Sequence, residues 1–92
     1  MHNAAILWDL DDEDDGNVQH IAEHGVSVEE AEEVLLDEGN EVFTSRSSGY
    51  PIVVGHTSTG RYLAVVFEHV DEDPLTLRPI TAYDAPERRR RR

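Results

Sequence analysis

The 92-residue chain carries 20 Asp and Glu against eight arginines and no lysine, so its formal net charge is −12 and its isoelectric point is near 4.5. This balance argues against a protein whose whole surface binds nucleic acid or an anionic membrane. The chain has no cysteine, no basic apolar leader, and no apolar run near the roughly 20 residues of a membrane helix. We therefore predict one cytoplasmic domain over residues 1–92, without disulfides and without a membrane partner.

The charge is distributed unevenly along the chain. Residues 1–45 contain 14 acidic residues and no arginine, whereas residues 46–92 contain six acidic residues and all eight arginines. The second half can therefore face RNA although the whole chain is acidic. Arg88 to Arg92 form the only basic run. This run predicts a tail that contacts phosphate or a partner, or a disordered segment paired loosely with the acidic surface.

The first half predicts an extended segment followed by two helices. Residues 6–10 are apolar enough for a strand and lead into an acidic cluster at 11–15. Apolar spacing predicts the first helix over residues 17–24, and Gly25 is a typical stop.

The second helix has the clearest local signals. Ser27 and Glu30 fit a capping box at its start, and Gly39 fits its end. Its glutamates suit the positive end of the helix dipole. We expect four of them to face solvent: Glu29, Glu30, Glu32 and Glu33.

The second half predicts strands. We expect four of them, over residues 41–44, 51–56, 61–68 and 75–83. Residues 57–60 are a hairpin turn and residues 70–74 an acidic turn. Apolar residues occupy both odd and even positions of 61–68, so we expect a central strand with both faces covered. Pro79 lacks a backbone N–H and places the last strand at an edge or at a bulge.

This order of elements defines the predicted fold class. It is an α+β domain with a small, mostly antiparallel sheet and two N-terminal helices packed on one face. Pro86 then opens a short C-terminal helix or tail.

Two short motifs contain potential metal ligands. His20, Glu23 and His24 match the H-x-x-E-H helix motif of some zinc peptidases, but a third ligand and room for a substrate cleft are missing. Residues 11–16 resemble the start of a calcium loop, but the twelfth position is Ala22 instead of a bidentate carboxylate. We therefore predict no metal and no cofactor.

A set of short segments occurs in a distinctive order: Trp8-Asp9, His24 to Ser27, Glu29 to Ala31, Gly55 to Thr57, Gly60 to Phe67, Arg78 to Ala82, and Glu87 to Arg89. In this order they resemble the BrnT family of toxins from bacterial type II toxin–antitoxin pairs, over roughly residues 6–90. The resemblance implies a RelE-like fold and a metal-independent endoribonuclease. It also implies RNA as the substrate and a ribbon-helix-helix antitoxin of the BrnA type as the partner.

The chain departs from the BrnT pattern at several polar positions. Glu23 replaces the lysine before the histidine, and His20 replaces an asparagine. The asparagine available nearby, Asn17, lies three residues from that position. Tyr83 replaces the arginine that ends the last-strand motif. Because the missing basic groups would bind RNA phosphate, an alternative function is open. It is a catalytically inactive BrnT-fold module whose acidic face docks a basic protein.

Metal-free RNA cleavage requires a base, an acid and a cation at the phosphate. The resemblance implies that Arg61 and Arg78 bind phosphate and that His24 is the acid or base. His56 is a further candidate because imidazole titrates near neutral pH, and Tyr83 could hydrogen-bond a phosphate. If these residues have no role in catalysis, Arg61 is simply a residue of the hairpin and His24 simply stabilises the end of the first helix. Alternation places Arg78 and Tyr83 on opposite faces unless the strand contains a bulge.

Overall fold

The computed structural model describes residues 3–86. Its elements are β1 (Ala5–Ile6), α1 (Asn17–Ala22), α2 (Val28–Leu36), β2 (Glu41–Thr44), β3 (Pro51–His56), β4 (Tyr62–Glu72) and β5 (Leu75–Asp84). This order confirms a small α+β domain. The predicted C-terminal helix or arginine tail lies outside the described residues. Neither α1 nor α2 has the length and apolar character needed to cross a membrane.

The five strands form one mixed sheet in the order β1-β5-β4-β3-β2. The pairs β2–β3, β3–β4 and β4–β5 are antiparallel, as predicted, whereas β1 lies parallel to β5. Residues 6–10 were expected to be a first strand or an extended segment, and the strand is short: it ends at Ile6, although the Leu7 backbone N–H still donates to the Leu77 carbonyl of β5 at 2.9 Å. The next residues contact the helices instead: Trp8 donates a hydrogen bond to Glu32 on α2 at 2.8 Å, and the Asp9 backbone N–H donates to Asn17 on α1 at 2.9 Å.

The strand β4 is the longest element and lies in the middle of the sheet. Its residues 63–67 are all buried, which confirms a central strand with both faces covered. The predicted turn at 70–74 is too long, since β4 continues to Glu72 and pairs there with Leu75. Asp71 and Glu72 resemble turn residues because they are exposed and acidic, although both are paired with β5.

The capping box of α2 forms as predicted. The Ser27 hydroxyl accepts a hydrogen bond from the Glu30 backbone N–H at 3.1 Å, and the Glu30 carboxylate accepts one from the Ser27 backbone N–H at 3.0 Å. The helix ends at Leu36, before the expected Gly39, because Asp37 already has an extended backbone. The cap holds Glu30 at the helix start, and Glu30 belongs to the site described below.

The two faces of the sheet are covered differently. Both helices contribute to one main core against β3, β4 and β5, formed by Ile21, Val26, Ala31, Val34, Leu35, Val53, Leu63, Val65, Phe67, Leu77 and Ala82. The opposite face carries a smaller apolar cluster around Ile52, Ala64 and Val66. Among residues 3–86, neither helix contributes to this second cluster.

A bulge interrupts the pairing of β4 with β5. Val66 pairs with Thr81 and Phe67 with Pro79, so Ile80 is the extra residue. Ile80 and Tyr83 consequently pack in the same apolar cluster, although they are three residues apart. The bulge that Pro79 predicted is present. Because it adds one residue between Arg78 and Tyr83, strand alternation no longer requires these two side chains to lie on opposite faces of the sheet.

Candidate functional site

Arg61 lies in the turn before β4, and its side chain joins three other segments of the chain. Its Nε and Nη2 donate to the two carboxylate oxygens of Asp84 at 2.8 and 3.0 Å. Its Nη1 donates to the Glu30 carboxylate at 3.0 Å and to the Gly25 carbonyl at 2.7 Å. Its Nη2 also approaches the His24 carbonyl at 3.4 Å. Each of the five N–H groups of the guanidinium therefore has an acceptor.

The electrostatics of this cluster oppose the binding of an anion. Two carboxylates surround one guanidinium, so the ion-paired group carries a net negative charge. The hydrogen bond from Arg61 lowers the pKa of Asp84. The pKa of Glu30 is lowered mainly by the Ser27 backbone N–H and then by Arg61, and Asp84 raises the pKa of Arg61. All three groups thus stay charged around neutral pH.

These shifts predict an acid-dependent loss of stability. The pKa values of Glu30 and Asp84 lie below their ordinary values of 4.5 and 3.8, so the ionised carboxylates stabilise the fold above those values. The stabilisation is lost as the pH falls through the lowered pKa values. Between about pH 5 and pH 3, we expect the melting temperature to fall more steeply for the wild type than for Glu30→Gln/Asp84→Asn, as measured by thermal scans. Identical pH slopes would contradict this linkage.

Two further predicted site residues adjoin the Arg61 network: the backbone carbonyl of His24 contacts Arg61, and Tyr83 precedes Asp84 in the chain. His24 follows α1, is exposed, and makes an edge-to-face contact with the Tyr83 ring, with centroids 6.3 Å apart. Tyr83 reaches this position from β5, where it pairs with Ala64. The structure therefore brings together His24, Arg61 and Tyr83.

Arg78 belongs to a different network. Its Nη2 donates to Asp9 at 2.7 Å, and the same Asp9 oxygen accepts the Asn17 backbone N–H at 2.9 Å. Arg78 pairs with Glu68 on β4, six residues along β5 from Asp84. Because one of these six residues is the extra residue of the bulge, Arg78 and Asp84 lie opposite positions five residues apart on β4. At about 3.3 Å per residue, the two arginine networks are about 16 Å apart along the sheet. The arginines therefore do not form one phosphate site.

Asn17 is the centre of the network around Asp9, and sequence reasoning gave it no role. Its side chain is 1% exposed. Its amide group donates to the carbonyls of Leu7 and Pro79 at 3.0 and 2.9 Å and accepts from the Asp9 backbone N–H at 2.9 Å. In the sequence Asn17 is a polar residue at a helix start and lies three residues from the position of the BrnT asparagine, and neither signal distinguishes it from an ordinary exposed residue.

His56 lies at the end of β3, against Tyr62 of β4. The two rings are 4.6 Å apart and tilted by 41°. Their strands pair at this position, so the contact follows directly from the hairpin register. This contact places His56 beside Tyr62.

Three glutamates of α2 bind other elements, although we expected them to face solvent only. Glu30 binds Arg61, Glu32 accepts from the Trp8 indole, and Glu33 accepts from the Ser58 backbone N–H at 2.8 Å. Their partners are 24 to 31 residues away in sequence, so helical periodicity could not identify them. Much of the acidity of α2 therefore stabilises the fold.

The metal motifs have no support in the described part of the chain. Within residues 3–86, no three His, Asp or Glu side chains are grouped so that they could hold a metal ion. His20 and His24 therefore lack a third ligand there, and the residues of the acidic loop do not form a ligand set.

The sheet face opposite the helices contains a groove that the sequence did not predict. It has a volume of about 490 Å³ and is lined by Glu41, Phe43, Ile52, Val54, Tyr62, Ala64, Tyr83, Ala85 and Pro86. Three aromatic rings contribute to this lining, and Glu41 is the only charged residue among these nine. Strand periodicity indicates which residues share a face, but it does not indicate which face the helices leave open.

Comparisons of the chain with family models, with curated proteins and with solved structures gave no match. The fold class follows from the structure itself, and the BrnT resemblance rests on the ordered sequence motifs.

Proposed function

We propose that this chain is a non-catalytic protein-binding module of BrnT-like architecture, which acts in the cytoplasm on a basic protein partner. The observation that carries this proposal is the complete occupation of the Arg61 guanidinium by Asp84, Glu30 and two backbone carbonyls. A phosphate would have to displace a bound carboxylate before it could reach this cation. Such an exchange is unfavourable because the displaced carboxylate would remain beside the phosphate.

The rest of the charge distribution supports the same function. Arg78 is also bound to a carboxylate, that of Asp9. Residues 1–45 carry 14 acidic groups and no arginine. Since RNA affinity depends largely on basic groups that neutralise phosphates, weak RNA binding is expected. The same charge attracts a basic protein surface and speeds the encounter with it.

The BrnT resemblance suggests the class of this partner. It implies a ribbon-helix-helix antitoxin of the BrnA type, encoded next to the toxin. In the proposed function this chain keeps the antitoxin-binding role of the family and lacks its ribonuclease activity.

A metal-independent endoribonuclease toxin is the second candidate function. It is favoured by the ring contact between His24 and Tyr83 and by the approach of Arg61 to the His24 backbone carbonyl, which together place an imidazole and a phenol next to the Arg61 network. Cleavage would require Arg61 to exchange Asp84 or Glu30 for a substrate phosphate.

An RNA cleavage assay separates the two functions. The purified full chain, free of any partner, is incubated with single-stranded RNA over a range of salt concentrations. We expect no cleavage above buffer, because Arg61 is not available to the phosphate. Cleavage by the wild type that disappears in His24→Ala, with the fold of that variant intact by circular dichroism, would overturn the proposal and establish the ribonuclease.

A further inference from the structure

The groove lies on the side of the sheet that neither helix covers within residues 3–86. Ile52 and Val66 form part of the apolar cluster at its base and are each 8% exposed, whereas Phe43 at one side is 50% exposed. A sheet that is apolar on both faces is normally covered on both. The groove is therefore an apolar surface of the kind that a further packed element covers.

The groove extends across strands. It includes Phe43 on β2, Ile52 on β3, Ala64 on β4 and Tyr83 on β5. Three strand spacings span about 14 Å, which equals about nine residues of α-helix at 1.5 Å per residue. An extended segment added beside β2 would lengthen the sheet and leave the groove empty, whereas a helix laid on this face would fill it.

The charge of the groove and of the whole chain favours a basic helix over an acidic one. Glu41 is the only charged residue among those that line the groove in the described part of the chain. The net charge of −12 disfavours a second copy of the chain, which would bring another acidic surface and a second Glu41 to the contact. The glutamates that bind Arg61, Trp8 and Ser58 are already engaged on the other side of the molecule.

We propose that this groove docks an amphipathic helix of the basic partner, with its apolar side against Phe43 and Tyr83 and a Lys or Arg beside Glu41. The proposal rests on the proposed function and adds the surface and the chemistry of the partner segment. In a helix of this length, two or three apolar side chains at positions i, i+3 or i+4, and i+7 would enter the groove.

The test uses a synthetic helical peptide of about 16 residues, long enough to form a helix on binding, with leucines on one side and lysines on the other. Binding to the full chain is measured by isothermal titration calorimetry. Phe43→Ser and Val42→Ser are matched variants, because both residues are half-exposed neighbours on β2 and only Phe43 lines the groove. We expect Phe43→Ser to weaken binding about tenfold or more and Val42→Ser less than about twofold. Glu41→Gln should reduce the salt dependence of binding.

Several results would overturn the docking proposal. The first is a wild type that shows no saturable binding of the peptide, and the second is an equal loss of peptide affinity in Phe43→Ser and Val42→Ser. Self-association that Phe43→Ser abolishes, seen by sedimentation equilibrium, would assign the groove to a second copy. Binding that arises only when residues 88–92 are changed to serine would assign it to the arginine run of this chain. RNA cleavage would overturn the proposed function whatever the titration shows, so the two failures are distinguishable.

Discussion

Replacing Arg61 by methionine is expected to lower the free energy of unfolding by about 2 kcal/mol, since several charged hydrogen bonds are lost. Most of this loss is expected from Glu30 and Gly25, because the Asp84 side chain is 61% exposed and its ion pair is screened by solvent. Methionine retains most of the aliphatic volume but has no donors. The carbonyl of Gly25 and the carboxylates of Glu30 and Asp84 lose their shared donor together. Urea unfolding followed by circular dichroism measures the change.

Two variants control this prediction. Arg46→Met removes an arginine from an exposed loop and should change the free energy of unfolding by less than about 0.5 kcal/mol. Arg61→Lys keeps the charge but cannot reproduce the fork that binds both Asp84 oxygens, so it should recover less than half of the loss. If Arg61→Met were as stable as Arg46→Met, Arg61 would not be the structural junction described above.

Asn17→Ala is expected to destabilise the fold by about 3 kcal/mol, because it removes a buried amide from several hydrogen bonds at once. The Pro79 carbonyl is left without its buried donor, and Asp9 loses an acceptor that holds its backbone. The same Asp9 binds Arg78, so the loss extends to the link between the N-terminal segment and β5. Urea unfolding again gives the magnitude.

The matched variants for Asn17 test whether the amide network causes this loss. Asn17→Asp keeps the acceptor but cannot donate to the carbonyls of Leu7 and Pro79, so it should be nearly as destabilising as Asn17→Ala. Asn40→Ala removes one amide hydrogen bond, to the Val34 carbonyl at 2.9 Å, and should cost about 1 kcal/mol. Equal losses for Asn17→Ala and Asn40→Ala would show that the network adds nothing beyond a single bond.

Local signals predicted most of the fold. The capping box at Ser27 and Glu30 depends on residues three positions apart, and the hairpin turn at 57–60 depends on its own composition, so both are visible in the sequence. The bulge near Pro79 was predictable because proline lacks a backbone N–H. The parallel pairing of β1 was not predictable, since it depends on contacts between segments about 70 residues apart.

The candidate site was predicted less well, because the sequence does not show which partner a charged side chain will find. Arg61 matches a motif position, but its acceptors Glu30 and Asp84 lie 31 and 23 residues away. Arg78 pairs with Asp9 across 69 residues. Both arginines looked available to phosphate, and the folded chain supplies each with a carboxylate.

The NMR signal of the Arg61 Nε–H group, followed during titration with a short single-stranded RNA, shows whether Arg61 is a structural junction or a phosphate ligand. Arg61→Lys assigns the signal. If Arg61 is a structural junction in a non-catalytic module, its Nε–H should exchange slowly with water and keep its chemical shift as RNA is added. A chemical shift that moves with RNA, accompanied by cleavage of the RNA in the same sample, would contradict that claim.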